Sequence, residues 1–381
     1  MKLITKILRL VKAHYVEFKY KKLHDYCVQV FRERLIKNGI SANQPAHGED
    51  AYVKFWQQFH KRVEPYTYRY FKRIIGENPY IIPEDIANRY IESILNPIRY
   101  RGFLADKNMF PILICPQESL PYTWIYRIMG GALKDSKHAS MSFDISAHDI
   151  ASYIDISINK LVLKPSINSN SGRGVMLFNR KDGIFSSSGG EKLSGQFLCS
   201  YGQDFVLQEA IEQHDYLRQF SKTSSNTLRV MTYRSVIDDE VMLMAAALRI
   251  GQNGSFVDNL FSGGCFAPID LQTGKLGNEL YDRYWRVQSQ MNGIDFANNE
   301  FVLPFWNEAC EFAKNVARQI PYARLLALDV IVDVFGKPRL IEFNVDDFDW
   351  SMAMACTRTV PFGTKFFEVI EYCLRYKNDL S

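Results

Sequence analysis

Two apolar runs near the C-terminus carry acids where a plain core strand would not. Asp329 lies within Leu326–Val334, and Glu342 and Asn344 lie within Arg339–Asn344, with a turn at Phe335-Gly336-Lys337 between them. Residues 342 and 344 are two apart, so a strand points both to one side, and a hairpin lets Asp329 face them. Leu328, Val330, Ile341 and Phe343 take the opposite parity. Two carboxylates and an amide oxygen make a hard oxygen site with few ligands. Such a site suits Mg²⁺ that keeps waters and shares phosphate oxygens. The plainer alternative is a solvated sheet face, which the apolar opposite parity disfavours.

A second stretch can handle phosphate. The run Leu161-Val162-Leu163-Lys164-Pro165 reads as a strand, and a Ser-, Asn- and Gly-rich loop through Gly172 and Gly174 leads to Val175–Phe178. Small residues let backbone N–H groups approach phosphate oxygens, and a lysine adds a point charge. No GK[ST] follows, so this is not a Walker A loop, and a hairpin with a surface lysine remains the competing reading. The loop Ser166–Gly174 is expected to be mobile without nucleotide and ordered with it. A third stretch, Phe205–Glu209 running into Ala210-Ile211-Glu212-Gln213-His214-Asp215, reads as a buried strand that ends in a polar hinge. Exposed amides there can meet a base edge, and an acid or imidazole can hold a ribose hydroxyl.

The elements that must position these residues fall into two styles. Residues 1–100 read as helical and aromatic-rich. Ile4, Ile7, Leu8, Val11, Tyr15 and Phe18 keep helical spacing, Tyr52–Ile75 repeats the helical period, and Pro83-Glu84-Asp85 looks like a helix start. Beyond residue 100 short strands dominate: Leu228–Val236, Val241–Ile250 and Cys265–Leu271 join those above. Helices are expected at Ala147–Ile156, Glu191–Leu198, Pro304–Gln319 and Phe362–Tyr376. The fold class is α+β, divided into a helical region over 1–100, a first α+β subdomain over 101–207 and a second over 208–381.

Composition narrows the classes. With 381 residues, 47% hydrophobic and 23% charged, the chain is globular, and its net charge of +4 is too small to announce a nucleic-acid binder. The basic character is local: residues 1–40 carry ten Lys/Arg against three acids, leaving −3 for the rest. Residues 2–26 thus read as a basic amphipathic helix. It suits an anionic membrane surface, its own domain or a second copy of the chain, and packing within the protein is the commoner use. No apolar run reaches the roughly 18 residues a bilayer span needs. The N-terminus lacks the apolar core of a signal peptide. Seven cysteines without a CxxC pair argue for a reducing cytoplasm rather than a disulfide or zinc framework.

The order of these parts, a Lys-Pro strand with a glycine loop, an acidic hinge and a sheet ending in D…ExN, resembles the ATP-grasp superfamily. Further motifs are similar to its sugar-transfer-associated branch, which includes teichuronopeptide-synthesis proteins. They are Ala105-Asp106-Lys107, the run Asn226-Thr227-Leu228-Arg229-Val230-Met231-Thr232, and Asp258-Asn259 followed by Gly263-Gly264. The resemblance covers roughly residues 103–375. It implies two subdomains that clamp ATP, preceded here by the helical region. It also implies that Lys107 and Lys164 face phosphates and that Gly172 and Gly174 lie in the covering loop. Gln208, Glu209 and Ile211 would hold adenine, His214 or Asp215 would lie near ribose, and Asp329, Glu342 and Asn344 would hold Mg²⁺. One position departs from the pattern: many amino-acid ligases of this superfamily have Arg two residues before the metal Asp, and here Ala327 stands there. Arg229 and Arg249, on neighbouring strands, are the candidates to supply that charge, with a sheet-surface salt bridge as the alternative.

The chemistry implied is ATP-dependent ligation. A carboxylate becomes an acyl phosphate, and an amine displaces phosphate to form an amide. By the resemblance, the partners are a carboxylated sugar or amino acid and an amine of a bacterial surface-polysaccharide route such as capsule. A nucleotide-binding scaffold without turnover and a kinase on the same fold are the alternatives.

Overall fold

The computed structural model describes residues 2–167, 172–256 and 258–380, and the side chains from residue 17 onward within its long first helix. Residues 168–171 of the expected phosphate loop, and the side chains of the apolar stripe from Ile4 to Tyr15, lie outside the described residues.

The first sheet is built from β1 (Thr123–Arg127), β2 (Leu133–Asp135), β3 (Ser140–Met141), β4 (Lys160–Pro165), β5 (Met176–Lys181), β6 (Ile184–Ser187) and β7 (Phe205–Glu209). Its order is β3-β2-β1-β7-β4-β5-β6, with every neighbouring pair antiparallel. The β4 side chains alternate. Leu161 and Leu163 enter a core with Phe178, Phe205 and Leu207, and this turns Val162 and Lys164 to the other face. Strands β1 to β3 and β6 escaped the sequence reading because they are short and half-polar. The helix expected over Glu191–Leu198 runs over Gly195–Tyr201 instead, because the Ser194 hydroxyl caps Phe197 N. The helix expected at Ala147–Ile156 ends at Ser152.

The second sheet contains β8 (Leu228–Arg234), β9 (Val241–Ile250), β10 (Cys265–Pro268), β11 (Leu280–Tyr281) and β12 (Val287–Gln288). After a small ribbon of β13 (Gln290–Met291) and β14 (Ile294–Asp295), it is completed by β15 (Leu325–Val332) and β16 (Pro338–Asn344). The order is β12-β11-β10-β9-β8-β15-β16. One face, through Leu228, Val230, Leu248, Leu328 and Val330, packs with Ala309, Ala313 and Val316 of the helix Trp306–Gln319.

The other face is shared. Met231, Tyr233, Ala245, Ala247, Leu325 and Ala327 join a core with Phe31, Trp56, Phe71, Ile86 and Trp350, so the helix Trp350–Thr357, packed on β9 and β10, and the helical region behind it cover this part of the sheet. The remaining part, with Arg229, Arg249, Asp329 and Glu342, is left to a cleft.

Within the helical region, the first helix spans Lys2–Lys37. Its buried stripe among the described side chains is Tyr20, Cys27, Phe31 and Leu35, while Phe18, expected on the stripe, is 49% exposed. The continuous helical period expected over Tyr52–Ile75 is broken into Glu49–Trp56 and Tyr66–Ile75. Pro65 has no N–H for a continuous helix, and the buried Glu64 carboxylate starts the second helix by accepting from Tyr66 N (2.7 Å) and Thr67 N (3.0 Å). No helix among the described residues is long and apolar enough to cross a membrane.

Candidate functional site

A cavity of about 780 Å³ lies between the two sheets. Its wall on the first sheet comes from one face of β4, β5 and β7, with Lys160, Val162, Lys164, Leu177 and Gln208. Alternation in β4 and β7, set by the leucines that face the core, delivers Lys164 and Gln208 to this face. Gln208 Nε2 donates to Thr123 Oγ1 at 3.0 Å. The chain then leaves β7 as Ala210–Gln213, all lining the cavity, and reaches the second sheet, where His214 N donates to Val332 O at 2.8 Å. Across this junction Arg339 Nη2 donates to Glu209 Oε1 at 3.0 Å.

The opposite end concentrates charge. Asp329 pairs across the ladder with Glu342 on one side and Arg229 on the other. Arg229 holds Asp329 through Nε–Oδ1 (2.7 Å) and Nη2–Oδ2 (3.1 Å), and Arg249 adds Nη1–Oδ2 at 3.2 Å. Lys107, placed by its own backbone N–H on Ser166 O (3.0 Å), reaches Glu342 Oε2 at 3.0 Å. Lys164 Nζ donates to Ile341 O at 3.3 Å. Ile341 departs from expectation. The ladder pairs Asp329 with Glu342 and then Val330 with Leu340, so Ile341 is the extra residue of a bulge. It lines the cavity instead of joining Leu328, Val330 and Phe343 in the core.

These contacts set the charges. Burial alone would raise the Glu342 carboxyl, but Lys107 and Lys164 outweigh it and hold it at about 2. Lys164 is pushed down to about 8 by burial and by the Lys107 charge. Asp329 is raised, because burial outweighs the pull of Arg229 and Arg249. For Arg249 burial works toward loss of the proton, but Asp258 and Asp329 more than offset it and the group is held above its usual range.

Of the residues singled out from sequence, Lys107, Lys164, Gly172, Gln208, Glu209, Ile211, Arg249, Asp329 and Glu342 line the cavity. Arg229 reaches it through Asp329. Asn344 pairs with Ala327 in the ladder, and its Nδ2 donates to Ala327 O at 3.3 Å. Gly174 sits beside the loop with φ 76°, and its carbonyl accepts from the Tyr201 hydroxyl at 2.5 Å. His214 and Asp215 are not brought to the cavity wall. The His214 Nδ1 accepts from Tyr216 N at 3.1 Å at a helix start, and Asp215 is exposed beside Arg218. Glu212 lines the wall there instead.

The reading from sequence assigned no role to Asp258 or Thr227, which also line the cavity. The motif Asp258-Asn259 was visible, but its link to Arg249 exists only in three dimensions. The departure at Ala327 has a structural setting: the side chain is 0% exposed within the buried core, so an arginine there would bring its stem and charge into that core.

Two α+β layers that close on a cleft with lysines on one wall and carboxylates on the other define an ATP-grasp architecture. The profile of the sugar-transfer associated ATP-grasp family matches residues 86–360, and the chain belongs to that family. No curated protein matches the sequence. Among solved structures, N5-carboxyaminoimidazole ribonucleotide synthetase in complex with ADP is similar at 12% identity and TM-score 0.35, over 65% of this chain and 46% of that one. This chain therefore spans less than half the length of that synthetase. D-alanine–D-alanine ligase from Bacillus anthracis is similar at 12% identity and TM-score 0.37, over 74% and 70% of the two chains. Biotin carboxylase from Campylobacter jejuni is similar at 10% identity and TM-score 0.41, over 71% and 46%.

Proposed function

We propose that the protein is an ATP-dependent carboxylate–amine ligase that joins an amine or amino acid to a carboxylated sugar of bacterial surface polysaccharide. The observation that carries this reading is the meeting of Lys107 and Lys164 with Glu342 and Asp329 at one end of a cavity whose other end is the Glu209–Gln213 hinge. Membership of the sugar-transfer associated family supports the sugar side of the reading.

In this reading the two lysines bind the phosphates of ATP, and the hinge with Gln208, Glu209 and Ile211 holds adenine. Glu212, which lines the wall where His214 and Asp215 do not, would meet ribose. The donor set fits magnesium. Among the described residues no three His, Cys, Asp or Glu side chains form a preformed metal centre. Two carboxylates that face a phosphate pocket suit an ion that takes its remaining ligands from phosphate and water. Asp329 and Glu342 would hold it, with Asn344, which lies off the cavity wall opposite Ala327, as the more distant donor, and the ion would supply neutralisation of phosphate charge. Arg229 and Arg249 stand where a carboxylate substrate meets the terminal phosphoryl group. They stabilise the negative charge that passes to the acyl phosphate before the amine attacks.

The test is phosphate release from ATP with uronic acids and amino acids, each with and without an added amine, and product mass. Amide product together with phosphate is expected. A phosphorylated product without amide would mark a kinase, and no ATP consumption with any pair would mark a nucleotide-binding scaffold.

A further inference from the structure

Asp329 accepts one arginine bond on Oδ1 and two on Oδ2, so Oδ2 has no lone pair left for a metal. Arg229 grips it with two bonds from the directly opposed position on β8, and Arg249, one strand further away, adds one bond at 3.2 Å. A cation that takes Oδ2 must displace one of the two donors there, and the single Arg249 bond is the weaker hold. A released arginine is a long side chain that regains its rotamer freedom unless something else holds it.

Arg249 has a second anchor. Its Nη2 lies 3.2 Å from Asp258 Oδ1. Asp258 is itself fixed, because its Oδ2 accepts from Thr227 N at 3.0 Å and from the Thr227 hydroxyl. Thr227 O in turn accepts from Arg249 N at 2.8 Å. Backbone and side chain of Arg249 thus close a ring through Thr227 and Asp258. All three residues line the cavity, and Asp258 is 9% exposed.

We infer that Asp258 is a positioning residue: it tethers the Arg249 guanidinium in the cleft when Asp329 turns to the metal, so that the freed Nη1 meets a phosphate oxygen. The inference rests on the ATP–Mg²⁺ reading above. Arg249 then exchanges one anion for another without leaving its place, and the tether matters only once Asp329 is taken.

That condition gives the test. Asp258→Asn keeps an oxygen for Thr227 and removes the charge that holds Arg249, while Thr227→Val removes the hydroxyl bond and leaves the ion pair. ATP affinity is measured by calorimetry with Mg²⁺ and in EDTA, together with melting temperature. Asp258→Asn is expected to weaken binding about tenfold with Mg²⁺ and less than about twofold in EDTA, a difference of about 1 kcal/mol. Added to Arg249→Met, it should cost nothing further with Mg²⁺. Thr227→Val is expected to lower the melting temperature without this Mg²⁺-dependent loss. Asp258→Glu, which keeps the charge, should restore affinity to within about threefold, and it serves as the readout if Asp258→Asn does not fold. Equal losses with and without Mg²⁺, or a full extra loss on Arg249→Met, would overturn the tether. Wild-type chain that binds no ATP with Mg²⁺ overturns the nucleotide reading and the tether together. Wild-type binding with an indifferent Asp258→Asn overturns the tether alone.

Discussion

One face of the second sheet is two environments. At the cleft end Arg229, Arg249, Asp329 and Glu342 stand on adjoining strands, with Lys107 reaching in from outside the sheet. Two residues along the same strands, Met231, Ala247 and Ala327 lie under the helical region. Strand chemistry is continuous across the boundary, so the cover makes the difference. The covered end also carries acids, but they meet fewer cations. Glu84 is buried near Asp349 and is raised to about 7, and Glu92 is raised to about 7 by burial despite Arg101. At the cleft end the lysines outweigh burial and hold Glu342 at about 2. Burial acts at both ends: at Glu342 the two lysines reverse it, whereas at Asp329, as at Glu84 and Glu92, burial prevails over the nearby arginines.

The largest expected effect tests the charged end. Glu342→Gln or Asp329→Asn should cut Mg²⁺-dependent ATP turnover at least a hundredfold, the scale of losing a charge-stabilising group, with circular dichroism unchanged. A Glu342→Gln enzyme with near wild-type turnover would remove the phosphate-end assignment.

Next comes the covered end. Ala327→Arg restores the residue that many ligases of the superfamily carry, but Ala327 belongs to the buried core that also holds Phe31 and Trp350, so the new side chain enters that core. An unpaired charge there should cost about 3–5 kcal/mol, read as a lowered denaturant midpoint. A stable and active Ala327→Arg protein would show that the cover yields.

The pH profile should separate the two ends by slope. Glu84 and Glu92 have folded values raised above the unfolded 4.5. Their stability is present below 4.5 and is lost as pH rises toward about 7. Glu342 is depressed, so its stability is present above 4.5 and is lost as pH falls toward about 2. The melting temperature should therefore fall between pH 5 and 8, and Glu84→Gln should flatten that limb alone. An unchanged limb would remove Glu84 from the account.

The smallest effect concerns the basic segment. The described part of the first helix buries Tyr20, Cys27, Phe31 and Leu35 within the protein, which leaves membrane contact to the residues before it. Flotation with anionic liposomes at low salt should weaken in high salt and vanish without residues 1–16. Failure to float at low salt would make the helix wholly structural.

The sequence by itself determined the strands that carry chemistry. Alternation in Leu161–Lys164 and in Arg339–Asn344 is a local property, and so is the parity that puts Glu342 and Asn344 on one side. It therefore placed Lys164, Asp329 and Glu342 on their elements, and the motif order placed Lys107. Tertiary structure decided what lies beyond one strand's reach. The bulge at Ile341 depends on the partner strand, the cover over Ala327 on helices from both ends of the chain, and the Arg249–Asp258–Thr227 ring on three separate segments. His214 and Asp215 lie off the cavity wall for the same reason. A hinge can be read from an apolar strand that ends in polar residues, but which of those residues turns inward is set by the helix start they must cap and by the sheet edge they must join.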